Sequence, residues 1–205
     1  MLYSKEYISD TTLLGIWKIE ETKDELLSLL DNKQDLIDIL SIKSEARILE
    51  MLASRILMKE MLGEEKKLSY YPSGKPFLAD STSHISISHS KKYVAVVLDK
   101  TKPVAVDIEQ ISDKVKRVRS RVVSAREYID SNNELIHLLL HWSAKESMFK
   151  YIDEEGVNFI GHLYVHKFIP QNTGAFNASE SRTKNGHQFD AWYKVEEEFV
   201  LVCIW

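Results

Sequence analysis

The apolar residues of this chain follow a helical spacing in two long stretches. Over residues 35–62 they recur every three or four positions, with residues 41–44 as an interruption and Gly63 as a typical helix stop. The same spacing predicts a second long helix over residues 134–151. A shorter helix is expected to begin at Thr22, where acidic residues occupy the first turn.

Short segments with alternating or continuous apolar residues predict strands around these helices. They cover residues 13–19, 84–88, 93–98, 103–108, 163–169, 189–195 and 198–205. Residues 99–102 are expected to form a hairpin turn between the third and fourth of these strands. The polar segment 171–187 is expected to be a connection, and Ser124 is expected to start a further helix.

The order of these elements predicts an α+β protein, because each half of the sequence runs helix first and sheet afterwards. The division gives an N-terminal half of residues 1–101 and a C-terminal half of residues 102–205. A pseudo-repeat of about a hundred residues is compatible with this order.

Composition narrows the class of protein. The 205 residues are 44% hydrophobic and 28% charged, as in a globular protein with a sizeable core. The first residues lack a signal-peptide pattern and no apolar run is long enough to span a membrane, so a cytoplasmic protein with no membrane partner is expected. The net charge of -4 argues against nucleic acid as a partner. Cys203 lies in an apolar run and is expected to be a buried thiol.

Two short motifs carry the candidate chemistry. On a strand, Asp107 and Glu109 would present paired carboxylates on one face. On a helix, Glu146 and Lys150 stand one turn apart and share a face with Trp142. Carboxylates are the ligands that Mg²⁺ prefers, so the two motifs together predict a site for a divalent cation and a phosphate. Either motif alone is also common on solvated surfaces. No histidine pair is expected to bind zinc.

Basic residues are concentrated in one segment, residues 114–126, which we call the basic segment. Its cations are Lys114, Lys116, Arg117, Arg119, Arg121 and Arg126. Such a patch on an acidic chain predicts an acidic partner, and a solvated helix face is the alternative.

Four ordered motifs resemble those of a known family, the 4′-phosphopantetheinyl transferases of the Sfp type. Gly74-Lys75-Pro76-Phe77 is similar to the family's G-K-P turn, and Ile87-Ser88-His89-Ser90 to its I-S-H-S segment. Val106-Asp107-Ile108-Glu109 resembles its G-(I/V)-D-x-E motif, and residues 142–150 resemble its W-(S/T)-x-K-E-x-x-x-K motif.

The resemblance implies two similar α+β halves packed as a pseudo-dimer, with the active site in the cleft between them, and a monomeric protein. The chain departs from the family pattern at Ala105, where the family has glycine, and at Ser86, where it has asparagine. Neither departure removes a charged group that the chemistry needs.

The resemblance also implies roles for the acids and for one lysine. Asp107, Glu109 and Glu146 would hold Mg²⁺, and Mn²⁺ is an alternative because it accepts the same oxygen ligands. Glu146 and Lys150 would be the catalytic residues, the first as metal ligand or general base and the second as a cation that neutralises phosphate charge. Trp142 is expected to be the packing anchor of this helix.

Coenzyme A is implied as the substrate. Its phosphates would be contacted by Lys75, Ser88 and His89. The N-terminal half would supply basic residues for the 3′-phosphate, and the candidates are Arg47, Arg55 and Lys59.

Members of this family transfer 4′-phosphopantetheine from coenzyme A to a serine of an apo acyl or peptidyl carrier protein and release adenosine 3′,5′-bisphosphate. Carrier proteins are usually acidic, so the docking residues are predicted to be Lys114, Lys116, Arg117 and Arg121. Two alternatives stay open at this point: a Mg²⁺-dependent phosphohydrolase or nuclease, and a non-catalytic coenzyme A-binding protein.

Overall fold

The computed structural model describes residues 1–32 and 36–205, which divide into two compact units, Met1–Pro103 and Val104–Trp205. Each unit combines helices with an antiparallel sheet, so the predicted α+β class is confirmed. The pseudo-dimer with its cleft and the division of roles between the halves stay predictions. Among the described helices, none has both the length and the apolar character that crossing a membrane requires.

The described residues of the first unit form a four-stranded antiparallel sheet in the order β1-β2-β6-β5, a separate hairpin of β3 and β4, and three α-helices. Its elements are β1 (Leu2–Tyr7), β2 (Thr12–Lys18), α1 (Lys23–Ser28), α2 (Ile37–Leu40), α3 (Glu45–Leu62), β3 (Leu68–Tyr70), β4 (Pro76–Leu78), β5 (His84–Ser90) and β6 (Tyr93–Asp99). The core lies between α3 and the sheet, where Leu52, Ile56 and Leu57 are buried with Val94 and Val96.

Local sequence explains how α3 begins, ends and packs. The Ser44 side chain accepts a hydrogen bond from the first turn, and Gly63 ends the helix with a left-handed φ of 80°. Gly15 on β2 allows the close approach of the helix, because a Cβ there would lie 2.5 Å from Sδ of Met61. The predicted interruption before α3 is confirmed. Asp35, where the predicted helix begins, lies outside the described residues.

The second unit has a five-stranded antiparallel sheet in the order β7-β11-β10-β9-β8, with α5 packed along β7 and β11. Its elements are β7 (Ala105–Gln110), a 3₁₀ helix (Asp113–Val118), α4 (Arg119–Val122), a second 3₁₀ helix (Ser131–Asn133), α5 (Glu134–Ile152), β8 (Leu163–Val165), β9 (Thr173–Glu180), β10 (His187–Val195) and β11 (Phe199–Ile204). Two serine hydroxyls fix the helix to the sheet. Ser143 donates to the carbonyl of Asp107 at 3.0 Å, and Ser147 to that of Val202 at 3.1 Å.

Two predictions about element order were wrong. The units do not run helix first, because β1 and β2 precede the helices of the first unit and β7 precedes those of the second. The turn at residues 99–102 is not a hairpin, since β6 and β7 belong to different sheets. Its backbone is held instead by the buried Asp99 carboxylate, which accepts from the N–H groups of Thr101 and Lys102 at 2.8 and 3.0 Å.

Two local predictions in the second half were also wrong. The segment predicted as a connection contains β9, which has few large apolar residues and buries only alternate side chains such as Phe176 and Ala178. Ser124 does not start a helix. The Glu127 side chain accepts from the Ser124 N–H at 2.7 Å and points into the core, so the segment forms a turn.

The interior of the second unit holds the predicted buried thiol of Cys203 and two histidines of α5. His137 and His141 do stand one turn apart, a spacing that the sequence analysis overlooked. Nδ1 of His137 accepts from the N–H of Asp130 at 2.9 Å. Nε2 of the neutral His137 ring therefore carries the proton and offers no lone pair to a metal ion. Nδ1 of His141 donates to the carbonyl of His137 at 2.9 Å.

Candidate active site

The first acid of the D-x-E motif forms an ion pair with the last lysine of the helical motif. Asp107 on β7 is buried, and its Oδ1 lies 2.8 Å from Nζ of Lys150 on α5. The same ammonium group donates to the carbonyl of Val106 at 3.1 Å. The packing of α5 on β7 therefore brings a predicted metal ligand and a predicted catalytic residue into direct contact.

Trp142, one turn before Glu146 on α5, holds the second acid. Its Nε1–H donates to Oε1 of Glu109 at 2.8 Å, and its ring packs against Phe159 with 6.0 Å between ring centroids. Besides packing, Trp142 thus positions a carboxylate. This role was not predicted from the sequence, although the helical spacing that puts Trp142 and Glu146 on one face was a signal for it.

The two glutamates of this cluster, Glu109 and Glu146, have raised pKa values and hold protons more readily than isolated glutamates. Burial raises the pKa of Glu109 to about 7, and the charge of Asp107 adds to the effect. The hydrogen bond from Trp142 opposes this rise in pKa. Burial also raises the pKa of Glu146; Asp107 adds to that shift and Lys150 opposes it. The three carboxylates therefore lie within electrostatic reach of one another.

The donor chemistry of the cluster suits a hard divalent cation. All three predicted ligands are carboxylates, which Mg²⁺ and Mn²⁺ both accept, and a bound cation would relieve the repulsion between them. In residues 1–32 and 36–205, no three His, Cys, Asp or Glu side chains are already gathered closely enough to hold a metal ion. Binding would require the carboxylates to converge, and the assignment of Asp107, Glu109 and Glu146 as ligands stays a prediction.

A second cluster lies in the N-terminal unit, where α3 meets β5. Nη1 of Arg47 contacts Nε2 of His89 and lies 3.2 Å from Oε2 of Glu50. Nδ1 of His89 lies 3.1 Å from the same carboxylate oxygen. A guanidinium can only donate, so Nε2 of His89 accepts and its Nδ1–H donates to Glu50. Two predicted phosphate-binding residues are thus adjacent, and both are oriented by Glu50, which the sequence analysis did not identify.

A cavity of about 110 Å³ opens beside these three side chains. The β3–β4 hairpin contributes Tyr70, Gly74 and Pro76 to its lining. Gly74 has a φ of 88°, a left-handed conformation that glycine adopts at little cost. Lys75 follows in the same turn, where its carbonyl accepts from the N–H of Tyr71 at 3.0 Å. The Gly-Lys-Pro turn therefore borders the cavity that Arg47 and His89 line.

Two further candidates, Arg55 and Ser88, are not among the residues that line this cavity. The Arg55 guanidinium lies 5.9 Å from the ring centroid of Tyr70 and adjoins the cavity through that ring. Ser88 is buried and projects from the face of β5 opposite to His89, because neighbouring strand residues alternate.

Lys59 is placed differently from the other candidates. Its ammonium forms salt bridges with Asp31 and Glu65 at 2.8 and 3.1 Å. Two carboxylates therefore already neutralise its charge, which makes it a poor phosphate ligand.

The basic segment exposes all six of its cations, while Val115 and Val122 are buried beneath it. Lys116 pairs with Asp113 at 2.6 Å, and Arg119 pairs with Glu134. The other predicted docking residues form no salt bridge with any residue that the structure describes, and they are Lys114, Arg117 and Arg121. The segment thus presents unneutralised positive charge to solvent.

Comparison with known proteins finds a family match for the half of the chain that carries the acids. Residues 103–204 match the family model of the 4′-phosphopantetheinyl transferase superfamily. The matched range contains β7 and the whole of α5, and therefore the entire acid cluster. The chain has no significant match among curated proteins. The Sfp-type subgroup stays a prediction. On the family match, the chain belongs to the 4′-phosphopantetheinyl transferase superfamily, enzymes that take phosphopantetheine from coenzyme A and transfer it to carrier proteins.

Proposed function

We propose that this chain is a Sfp-type enzyme that transfers 4′-phosphopantetheine from coenzyme A to a serine of an acidic apo carrier protein. The observation that carries the proposal is the cluster formed by Asp107, Glu109, Glu146 and Lys150, which lies within the matched range. Carboxylates beside a lysine are what a pyrophosphate substrate with a divalent cation would require.

In the proposed reaction the serine hydroxyl oxygen bonds to the phosphorus that carries the pantetheine arm. The bond from this phosphorus to the bridging oxygen breaks, and adenosine 3′,5′-bisphosphate leaves with that oxygen. Glu146 is the proposed base for the serine proton, and its raised pKa suits it to that task better than that of an ordinary surface carboxylate. Lys150 would neutralise charge on the phosphates.

Asp107, Glu109 and Glu146 would hold Mg²⁺, or Mn²⁺ in its place, and the cation would supply charge neutralisation at the pyrophosphate when bound. Trp142 keeps Glu109 oriented through its hydrogen bond. The residues of the chain thus provide the oxygen ligands, their orientation and the proposed base.

For coenzyme A recognition, the supporting observation is the cavity lined by Arg47, His89 and the Gly74–Pro76 turn. A phosphate there would compete with Glu50 for both basic side chains, and the turn would bring Lys75 close to it. Arg55 and Ser88 are proposed as outlying contacts of the same substrate.

For the carrier, the supporting observation is the exposed charge of the basic segment. Lys114, Arg117 and Arg121 offer positive charge, to which Lys116 adds, and an acidic surface would complement it. We propose that the carrier docks on these residues, and that the enzyme acts as a monomer in the cytoplasm.

Intact-mass measurement tests the proposal. The chain is incubated with coenzyme A, Mg²⁺ and apo carrier proteins from fatty-acid, polyketide and nonribosomal-peptide systems. A mass gain of one phosphopantetheine group on at least one carrier supports the proposal. No gain on any carrier, with the protein folded and the carriers active toward another transferase, would overturn it.

A further inference from the structure

The lysine beside Glu146 in the helical motif is fully buried, although nothing in the proposed chemistry uses it. The side chains of Lys145 and Glu127 are both 0% exposed, and Nζ lies 2.8 Å from Oε2. The ammonium also donates to the carbonyls of Val122 at 2.6 Å and Phe159 at 2.9 Å. All three of its donors are therefore engaged inside the protein.

Glu127 is engaged just as completely. Its Oε2 accepts from the N–H of Ser124 at 2.7 Å, and its Oε1 accepts from the N–H of Val165 at 2.9 Å. The pair thus ties together five parts of the unit: α5, the end of α4, the turn that follows α4, the connection between α5 and β8, and β8 itself.

Two of the groups that this pair binds lie near the C-terminal end of the basic segment. Val122 is the last residue of α4, and Ser124 lies between it and Arg126. Lys145 is the direct neighbour of Glu146 on α5. The ammonium of Lys145 therefore joins the C-terminal end of the basic segment to the residue next to Glu146, while the ion pair of Arg119 with Glu134 joins the segment to the start of α5.

A buried ion pair is not an efficient source of stability, because desolvation offsets most of the attraction. Its bonds are directional, however, so they fix geometry more tightly than apolar packing does. An apolar pair of the same volume could fill this space, but it would leave the carbonyls of Val122 and Phe159 without their donor.

We propose that Lys145 and Glu127 are positioning residues that fix the basic segment relative to Glu146, so that a carrier bound on the segment presents its serine to the base. This inference rests on the proposed function. The two residues touch no substrate and act through the placement of the basic segment.

The variant K145M/E127Q tests the proposal, because it removes both charges together and leaves no unpaired charge in the core. We expect KM for the apo carrier to rise about tenfold, with KM for coenzyme A and kcat at saturating carrier within about twofold of wild type. The conservative variant K145R, which keeps the charge and the donors, is expected to retain most of the carrier affinity. A carrier KM in folded K145M/E127Q equal to that of wild type would overturn the proposal.

Two controls separate positioning from general destabilisation. Glu180 is another buried carboxylate of the same unit, and it accepts from the N–H groups of Arg182 and Thr183 at 2.6 and 2.9 Å. E180Q should lower the melting temperature and leave the carrier KM unchanged. If E180Q raises the carrier KM as much as K145M/E127Q does, the proposed link is wrong.

Hydrogen exchange of the wild-type protein gives a test that needs neither folding of a variant nor activity. The amides of Ser124 and Val165 should exchange as slowly as the core of α5, because both donate to the buried Glu127. Fast exchange at these amides would contradict the inference even if the carrier is modified. Absence of carrier modification by the wild-type enzyme would instead contradict the proposed function, whatever the exchange rates are.

Discussion

The indole of Trp142 on α5 donates a 2.8 Å hydrogen bond to the carboxylate of Glu109 on β7, thirty-three residues earlier in the chain. The bond links the D-x-E motif of β7 directly to the helical motif of α5. It holds one oxygen of a half-buried carboxylate whose neighbours are also acidic, and so it limits how far Glu109 can turn away from Asp107. We expect this orientation to matter for the binding of a divalent cation.

Replacing Trp142 by phenylalanine should keep the packing on Phe159 and remove the hydrogen bond to Glu109. We expect the Mg²⁺ concentration for half-maximal transfer to rise by about tenfold, since loss of a partner that orients a ligand typically costs 10–100-fold in metal affinity. A Mg²⁺ titration of the initial rate measures this. W192F, a change in a strand away from the acids, is the matched control. An unchanged Mg²⁺ dependence in W142F would show that the bond does not position a metal ligand.

Replacing Glu146 by glutamine keeps the size of the side chain and removes its charge. Because Glu146 is proposed both to hold the cation and to accept the serine proton, we expect kcat/KM to fall by at least about 100-fold. E154Q, an exposed position shortly after the same helix, is the control. Transfer by E146Q at a near wild-type rate would mean that both roles are wrong.

Charge reversal in the basic segment should affect the carrier and not the nucleotide. In R117E/R121E we expect KM for the apo carrier to rise by about tenfold or more and to depend less on salt, with KM for coenzyme A unchanged. The double variant K23E/K184E changes the net charge equally at two exposed lysines outside the segment. Equal effects of R117E/R121E on both KM values would count against docking on this segment.

The adjacent side chains of Arg47 and His89 are expected to bind a phosphate of coenzyme A. We expect R47A and H89A each to raise KM for coenzyme A by about tenfold, because each removes a cationic or polar phosphate contact. The same variants should show a smaller loss with 3′-dephospho-coenzyme A if the lost partner is the 3′-phosphate. K43A, an exposed lysine just before α3, is the control. An equal rise in KM for both substrates would mean that the cavity binds a different phosphate of coenzyme A.

The sequence contained enough to predict the elements that carry the site. The spacing of apolar residues predicts α3 and α5 closely, and both helices end at residues with a left-handed conformation. Asp107 and Glu109 could be placed on one face of a strand for the same kind of reason. These are local properties, and local sequence determines them.

The contacts between elements could not be predicted in the same way. The position of Glu50 beside His89 depends on how α3 crosses β5, and the bond from Trp142 to Glu109 depends on how α5 lies on β7. The turn at Ser124 was wrongly predicted as a helix because its conformation is decided by Lys145, a residue distant in sequence that draws Glu127 into the core. Tertiary contacts override local propensity at such points.

The buried histidines of α5 predict a pH-dependent stability. Burial lowers the pKa of His137 from 6.5 to about 4, and the charge of Asp130 opposes this shift. Burial also lowers the pKa of His141, while its bond to the His137 carbonyl and the charge of Glu127 oppose the shift and Lys145 reinforces it. At these two imidazoles the unfolded chain therefore binds more protons than the folded protein between about pH 4 and 6.5.

Because protons bind these imidazoles preferentially in the unfolded chain, their contribution to the free energy of unfolding should fall as the pH falls from 6.5 to 4, while the raised pKa of Glu109 acts in the opposite direction. The expected loss for His137 alone is on the order of 2–3 kcal/mol. Denaturant unfolding at several pH values measures it. In the variant H137Q the loss over this window should be smaller than in wild type, and an identical pH profile in H137Q would contradict the assignment.

The proposed transfer of phosphopantetheine from coenzyme A to a carrier serine yields two products, and the balance between them is a decisive measurement. Wild-type protein is incubated with coenzyme A, Mg²⁺ and an apo carrier, and holo-carrier and adenosine 3′,5′-bisphosphate are quantified in the same sample. We predict that the two products accumulate in equal amounts, that both depend on the divalent cation, and that the modification maps to one serine. Release of the nucleotide without formation of holo-carrier would show a phosphohydrolase instead and would contradict the account.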